Sequence, residues 1–144
     1  LQNGKSYKLN VISLPHWKSK GGHYAPFFYL SIYYMIKVIF KTKDNQEEVI
    51  AEEGFTVMEA SKHFSKNRYI DGIEGDCGGA CACGTCHVLV SNEWIEKTGV
   101  ANDDNAELSL LEYEENFDEK RSRLSCQIEL DESLDGLVVE VPHK

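Results

Sequence analysis

Residues 76–87 read Asp76-Cys77-Gly78-Gly79-Ala80-Cys81-Ala82-Cys83-Gly84-Thr85-Cys86-His87 and hold four of the five cysteines in the chain. The fifth, Cys126, stands far downstream in Arg123-Leu124-Ser125-Cys126-Gln127-Ile128. Thiols this close together, in a run of Gly, Ala and Thr, suit an object that needs sulfur ligands and close backbone approach. Five is an odd number, so a full set of disulfides leaves one cysteine over, and C-x2-C spacing points to metal ligation in a reducing compartment. Two chelates compete, Cys83-x2-Cys86 and the tighter Cys81-x-Cys83. A site of four protein sulfurs needs only one of Cys77 and Cys81. Structural zinc sites usually come as two matched C-x2-C pairs, whereas Cys126 stands alone. A three-plus-one arrangement suits an iron–sulfur centre, whose sulfurs accept N–H groups from small residues.

Outward from this loop, the 144 residues are enough for one domain with an appendage. Acidic residues outnumber basic ones by 24 to 15, unevenly. Residues 1–34 carry Lys5, Lys8, Lys18 and Lys20 and no acid, so 35–144 hold all 24 acids against 11 bases, a formal −13. So acidic a surface repels nucleic acid and anionic membrane and steers towards basic protein partners. No run reaches the roughly 18 apolar residues of a spanning helix. The nearest approach, residues 26–40, is interrupted by Tyr29, Tyr33, Tyr34 and Lys37.

Residues 1–34 show no sustained period and are read as an extension outside the working domain, which occupies 35–144. The extension is acid-poor like a mitochondrial transit peptide but has no Arg. The expected location is the cytoplasm, or the mitochondrial matrix should 1–34 act as a transit peptide. Ile36 to Lys41 has the β-branched and aromatic content of a strand, and Asp44-Asn45-Gln46 turns it into a second strand at Glu47–Glu52. Thr56-x-x-Glu59 is a capping box, opening a helix with Val57, Ala60 and Phe64 on one face that fades near Asn67. After the cysteine loop come a short strand at His87–Val90 and a helix opening at Asn102–Glu107, with Leu108 and Leu111 inward. Strands at Arg123–Leu130 and Leu137–Val141 end the order. This is an α+β plan, a small mixed sheet with a helix packed across it.

The spacing Cys77-x5-Cys83-x2-Cys86 with Cys126 resembles the adrenodoxin/putidaredoxin type of [2Fe–2S] ferredoxin, and differs from the plant-type C-x4-C-x2-C. Gly75-Asp76-Cys77-Gly78-Gly79, Thr85-Cys86-His87-Val88 and Leu134-Asp135-Gly136-Leu137 carry the likeness further, over about residues 36–142. The resemblance implies a β-grasp fold and one [2Fe–2S] cluster on Cys77, Cys83, Cys86 and Cys126. Cys81 becomes a small side chain beside the cluster, and His87 a hydrogen-bonded link from the loop to the second helix. It also implies a monomeric one-electron carrier rather than an enzyme. Electrons would pass from an NAD(P)H-dependent, flavin-containing reductase to an oxygenase of the cytochrome P450 type. An alternative within the class is supply of electrons for iron–sulfur cluster assembly. A rival of another class is a non-redox zinc-binding interaction module.

Charge sets the chemistry. Four thiolates, two sulfides and two ferric ions sum to a formal charge of roughly −2, falling to roughly −3 on reduction. Plant-type relatives lie near about −400 mV, and N–H donors from a Gly-rich loop raise the potential. Residues 103–119 hold eight acids and no base. A solvated helix face accounts for most such runs, but the resemblance places partner docking on Asp76, Asp103, Asp104, Glu107 and Glu112.

Overall fold

A computed structural model describes residues 6–13, 28–101 and 106–142, with the backbone alone for 6–13 and 28–33. Alternation builds the centre of the sheet. Ile36, Val38 and Phe40 are buried, while Lys37 between them is exposed. They belong to strand β2 (Phe28–Lys41), which starts eight residues earlier than the apolar pattern predicts. Thr42 and Asn45 close the turn, with Thr42 N–H donating to Asn45 O at 2.8 Å. Strand β3 (Gln46–Glu52) returns antiparallel with Val49 and Ala51 inward. Strand β1 (Ser6–Ser13), in the stretch read as an extension, pairs antiparallel with Phe28–Met35 of β2.

Strands β4 (His87–Val90), β5 (Ser122–Leu124) and β6 (Leu137–Glu140) complete a mixed sheet of order β1-β2-β6-β4-β5, with β3 also on β2. The pair β2–β6 is parallel, Val38 opposite Leu137, and the remaining pairs are antiparallel. A parallel pair needs a long crossover, and here the crossover contains the helices and the cysteine loop. Among the described residues no helix is long and apolar enough to cross a membrane.

Helix α1 (Val57–His63) is nucleated as its sequence predicts. Thr56 Oγ1 accepts from Glu59 N–H at 3.2 Å, and Glu59 Oε2 accepts from Thr56 N–H at 2.8 Å. Val57, Met58 and Ala60 face the core, and Phe64 meets Phe55 edge-on at 5.0 Å. The helix stops at His63 rather than near Asn67, because the Glu47 carboxylate captures Ser65, Lys66 and Asn67. It accepts from Ser65 Oγ at 2.7 Å, Lys66 N–H at 2.9 Å and Asn67 Nδ2 at 3.3 Å. A four-residue helix α2 (Ile95–Thr98) is unanticipated, and α3 spans Glu107–Leu111. The predicted start of that helix at Asn102 lies outside the described residues.

The segment Arg123–Leu130 is not one strand. After β5 the chain turns through a 3-10 helix at Ser125–Gln127. It then lies along the start of α1, where Val57 N–H donates to Ile128 O at 2.9 Å and Leu130 N–H to Phe55 O at 2.8 Å. An orphan donor of the helix terminus is thereby satisfied by the segment that carries Cys126. Replacing Thr56 with Ala removes the cap and should cost about 1 kcal/mol. Thermal denaturation should register this as a Tm lower by about 3 °C.

Candidate metal centre

The cysteine loop begins with backbone held against α1. Gly75 has φ +58°, and a Cβ there would lie 2.4 Å from Met58 Sδ, so both conformation and space require glycine. Gly78 N–H donates to Gly75 O at 3.0 Å, closing a turn with Asp76 and Cys77 at its corners. Thr85 braces the far side. Its Oγ1 accepts from Asp76 N–H at 3.0 Å and lies 3.0 Å from Cys83 Sγ, while its carbonyl accepts from Glu74 N–H at 3.1 Å.

The thiols fall into two pairs. Cys77 is held down at about 7 by the backbone N–H of Ala82, then by hydrogen bonding with the Cys83 thiol and by the N–H groups of Gly79 and Ala80. Cys126 is lowered to about 6, first by a hydrogen bond from the Cys86 thiol and then by the Gln127 side chain and the Cys81 N–H. Gln127 Nε2 donates to Cys126 Sγ at 3.4 Å. The donor of that second pair, Cys86, is pushed up by its hydrogen bond to Cys126 and by burial. Cys77 and Cys83 are half-buried, whereas Cys86 and Cys126 are buried. Cys81, with φ +52°, is raised by burial and by its neighbours Cys126, Glu107, Cys77 and Cys83, which suits a neutral thiol.

Cys126 reaches Cys86 because its neighbour is bonded there. Ser125 gives both its N–H, at 3.0 Å, and its hydroxyl, at 2.7 Å, to the Cys86 carbonyl. His87 is 2 % exposed, and its Nε2 meets Ser122 Oγ at 2.8 Å, tying the loop to β5; the same oxygen accepts from Asp118 N–H at 2.8 Å. Where the resemblance implies a link from His87 to the second helix, the hydrogen bond from Nε2 runs to a strand.

The predicted docking residues separate. Asp76 and Glu112 are exposed, and Asp103 and Asp104 lie outside the described residues. Glu107 is a correction to the docking set: it is 1 % exposed, and a carboxylate so buried presents no charge to a partner. Its Oε1 accepts from Arg123 Nε and from Leu124 N–H, each at 2.8 Å. Arg123 is 8 % exposed at its side chain and also donates through Nη1 to the carbonyls of Thr98 and Gly99. One guanidinium therefore joins α2, α3 and β5 directly before the Cys126 turn. The helical period carried a signal for this, since Glu107 stands four residues before the buried Leu111. Glu114, outside the predicted set, lies against the loop: a Cβ on Gly84 would be 2.9 Å from its Oε1.

Two thiol pairs, with N–H donors at Cys77 and Cys126 and the Thr85 hydroxyl at Cys83, fit a centre of two iron ions with two protein sulfurs apiece. Among the described residues, no three His, Cys, Asp or Glu side chains gather where one metal ion would sit. A β-grasp sheet carrying such a loop defines an iron–sulfur electron carrier. The 2Fe-2S iron-sulfur cluster binding domain family matches residues 41–131. The chain is 43% identical over 107 residues to the 2Fe-2S ferredoxin CtmE of Castellaniella defragrans, covering 73% of this chain and 92% of that one. It is 37% identical to putidaredoxin of Pseudomonas putida over 111 residues, 76% of this chain and 98% of the relative. A crystal structure of putidaredoxin joined covalently to putidaredoxin reductase superimposes with a TM-score of 0.65 at 36% identity, covering 75% of this chain and 99% of the ferredoxin. The chain belongs to the putidaredoxin-type [2Fe–2S] ferredoxins. It binds one [2Fe–2S] cluster and acts as an electron carrier rather than an enzyme, which sets aside the zinc module.

Removing either partner of the Arg123–Glu107 pair leaves the other charge buried and unpaired, at a cost of about 3–5 kcal/mol. Urea denaturation of Glu107→Leu and Arg123→Leu should each show a loss of this order. The double variant should lose clearly less than the sum of the two.

Proposed function

We propose that this protein carries single electrons from a flavin-containing, NAD(P)H-dependent reductase to an oxygenase of the cytochrome P450 type. In this reading Cys77 and Cys83 ligate one iron, and Cys86 and Cys126 the other. The observation that carries it is the grouping of the four thiols into two hydrogen-bonded pairs under a loop of inward N–H groups. The reductase follows from the covalent complex of the related putidaredoxin.

When bound, the cluster supplies a site that gains and loses one electron at a time. The chain's own residues set how readily this happens. The N–H groups of Gly79, Ala80 and Ala82 face the Cys77 sulfur, where they offset added negative charge. Cys86 and Cys126 are shielded from water, and Cys77 and Cys83 stand nearer the surface, beside exposed Asp76. Asp76 and Glu112, both exposed, are the docking residues in this reading, together with Asp103 and Asp104, which lie outside the described residues. Beside Glu112 in sequence, Glu115 and Tyr113 are exposed as well, Tyr113 to 90 %. Residues 35–144 act as the electron-carrying unit, a monomer in the cytoplasm. The family match at 41–131 supports that unit, while β2 runs on from Phe28 and β1 pairs only with β2 among the described strands.

Iron and sulfide assays with low-temperature EPR test the ligand set. The protein should hold two irons and two sulfides and give a signal only after dithionite. Cys126→Ser should lose the cluster and Cys81→Ser should keep it; equal loss in both refutes the assignment. Neutralising Asp76 and Glu112 as amides should slow reduction by the reductase at low salt and flatten its salt dependence. Rates unchanged from wild type would remove this face from docking.

A further inference from the structure

Lys62, in the last turn of α1, reaches the entrance of the cysteine loop. Its Nζ donates to the carbonyl oxygen of Gly75 at 3.3 Å. That oxygen also accepts Gly78 N–H at 3.0 Å, so the ammonium sits on the turn that presents Cys77. Contact is close on both sides: a Cβ on Gly75 would lie 3.1 Å from Lys62 Nζ as well as 2.4 Å from Met58 Sδ. Helix α1 therefore presses two side chains on the loop, one apolar and one positive. Between Arg68 and His87 the sequence has no Lys or Arg at all, only Asp71, Glu74 and Asp76 as charges. Lys62 lines an open cleft with Arg68 and those three acids and is itself half-buried.

A charge at this place acts unequally on the two redox states. Reduction adds a negative charge to a centre already negative and ringed by acids, and a nearby cation stabilises the product more than the reactant. Desolvation strengthens the effect relative to a lysine standing free in water. The carbonyl bond also polarises the peptide that leads into Asp76 and Cys77, so the influence runs through the backbone as well as through space.

We infer that Lys62 is a positioning residue for the cluster loop that raises the reduction potential of the centre by placing its ammonium on the Gly75 carbonyl. This rests on the reading of Cys77 as a ligand, which the iron content of Cys126→Ser and Cys81→Ser tests separately. The experiment is a mediated potentiometric titration of the cluster-loaded protein, with dithionite as reductant and visible absorption as readout, after iron analysis of each variant. Lys62→Met and Lys62→Gln should both shift the midpoint to more negative values, Lys62→Glu should shift it further, and Lys62→Arg should restore it. Lys66→Met is the control, removing one positive charge from an exposed residue just beyond the same helix. It should leave the midpoint in place.

A Lys62→Met protein with full iron and the wild-type midpoint would overturn the inference. So would an equal shift in Lys66→Met, which would mean that only net charge matters. A purely structural latch would lower thermal stability or iron content in the Met and Gln variants while the midpoint of the loaded fraction stayed fixed. Should the Met variant fail to hold the cluster, Gln against Arg carries the same comparison, and equal midpoints there refute it.

Discussion

Ser125 gives its N–H and its hydroxyl to one carbonyl, that of Cys86, and the remainder of the site is arranged about this join. Three thiols can be presented by one loop, but the fourth arrives from the other end of the domain. It has to be held beside a thiol that is itself buried. Two hydrogen bonds from one residue to one acceptor fix both position and direction, so Cys126, next in sequence, can face Cys86. The 3-10 turn at Ser125–Gln127 answers the same need. A continuing strand would carry alternate side chains to opposite faces of the sheet. Instead the backbone rolls over and lays Ile128 and Leu130 along the start of α1, exchanging sheet bonds for bonds to Val57 and Phe55.

Electrostatics explains why so much polar structure surrounds a small apolar core. The chain is strongly acidic, yet its centre must accept further negative charge. Exposed acids are screened by water and salt. A buried one is not, and Glu107 near Cys81 would oppose reduction were its charge left open. Arg123 offsets it at 2.8 Å, and the guanidinium donates through Nη1 to the carbonyls that end α2. The pair thus contributes a neutral joint among three elements. A buried ion pair is weak evidence for added stability; its role here lies in fixing how α3 and β5 meet beside the cysteine turn.

The family and its cluster are legible in the cysteine spacing because iron–sulfur ligation demands particular residues at particular intervals. So are β2, β3 and α1, where period-2 alternation and the Thr56–Glu59 box encode local structure. The illegible parts are set by distant partners. Helix α1 ends early because Glu47, on a neighbouring strand, captures the groups after it. Residues 123–130 read as one strand although their backbone serves two partners, β4 at Leu124 and the start of α1 at Ile128 and Leu130. Glu107 looks like one more acid in an acidic run. Only its place four residues before Leu111 distinguishes it, and the charge of its neighbours outweighs that signal.

The two thiol pairs differ in what surrounds them, and the difference orders the site. The pair nearer the surface, Cys77 and Cys83, lies on a loop whose turns are closed by Gly75, Thr85 and Gly84, with little side chain to exclude solvent. The inner pair is buried, Cys86 directly before β4 and Cys126 within the 3-10 turn, where a Cβ on Gly79 would lie 3.9 Å from the Cys126 Cβ. A cluster held there would have a buried, hydrogen-bonded side and an open one, so little rearrangement would be needed to exchange an electron. Charge is held by fixed N–H dipoles rather than by water that must reorient. The rigid side is also the side built from long-range contacts, so the stability of the whole fold, and not the loop alone, keeps the open side in shape.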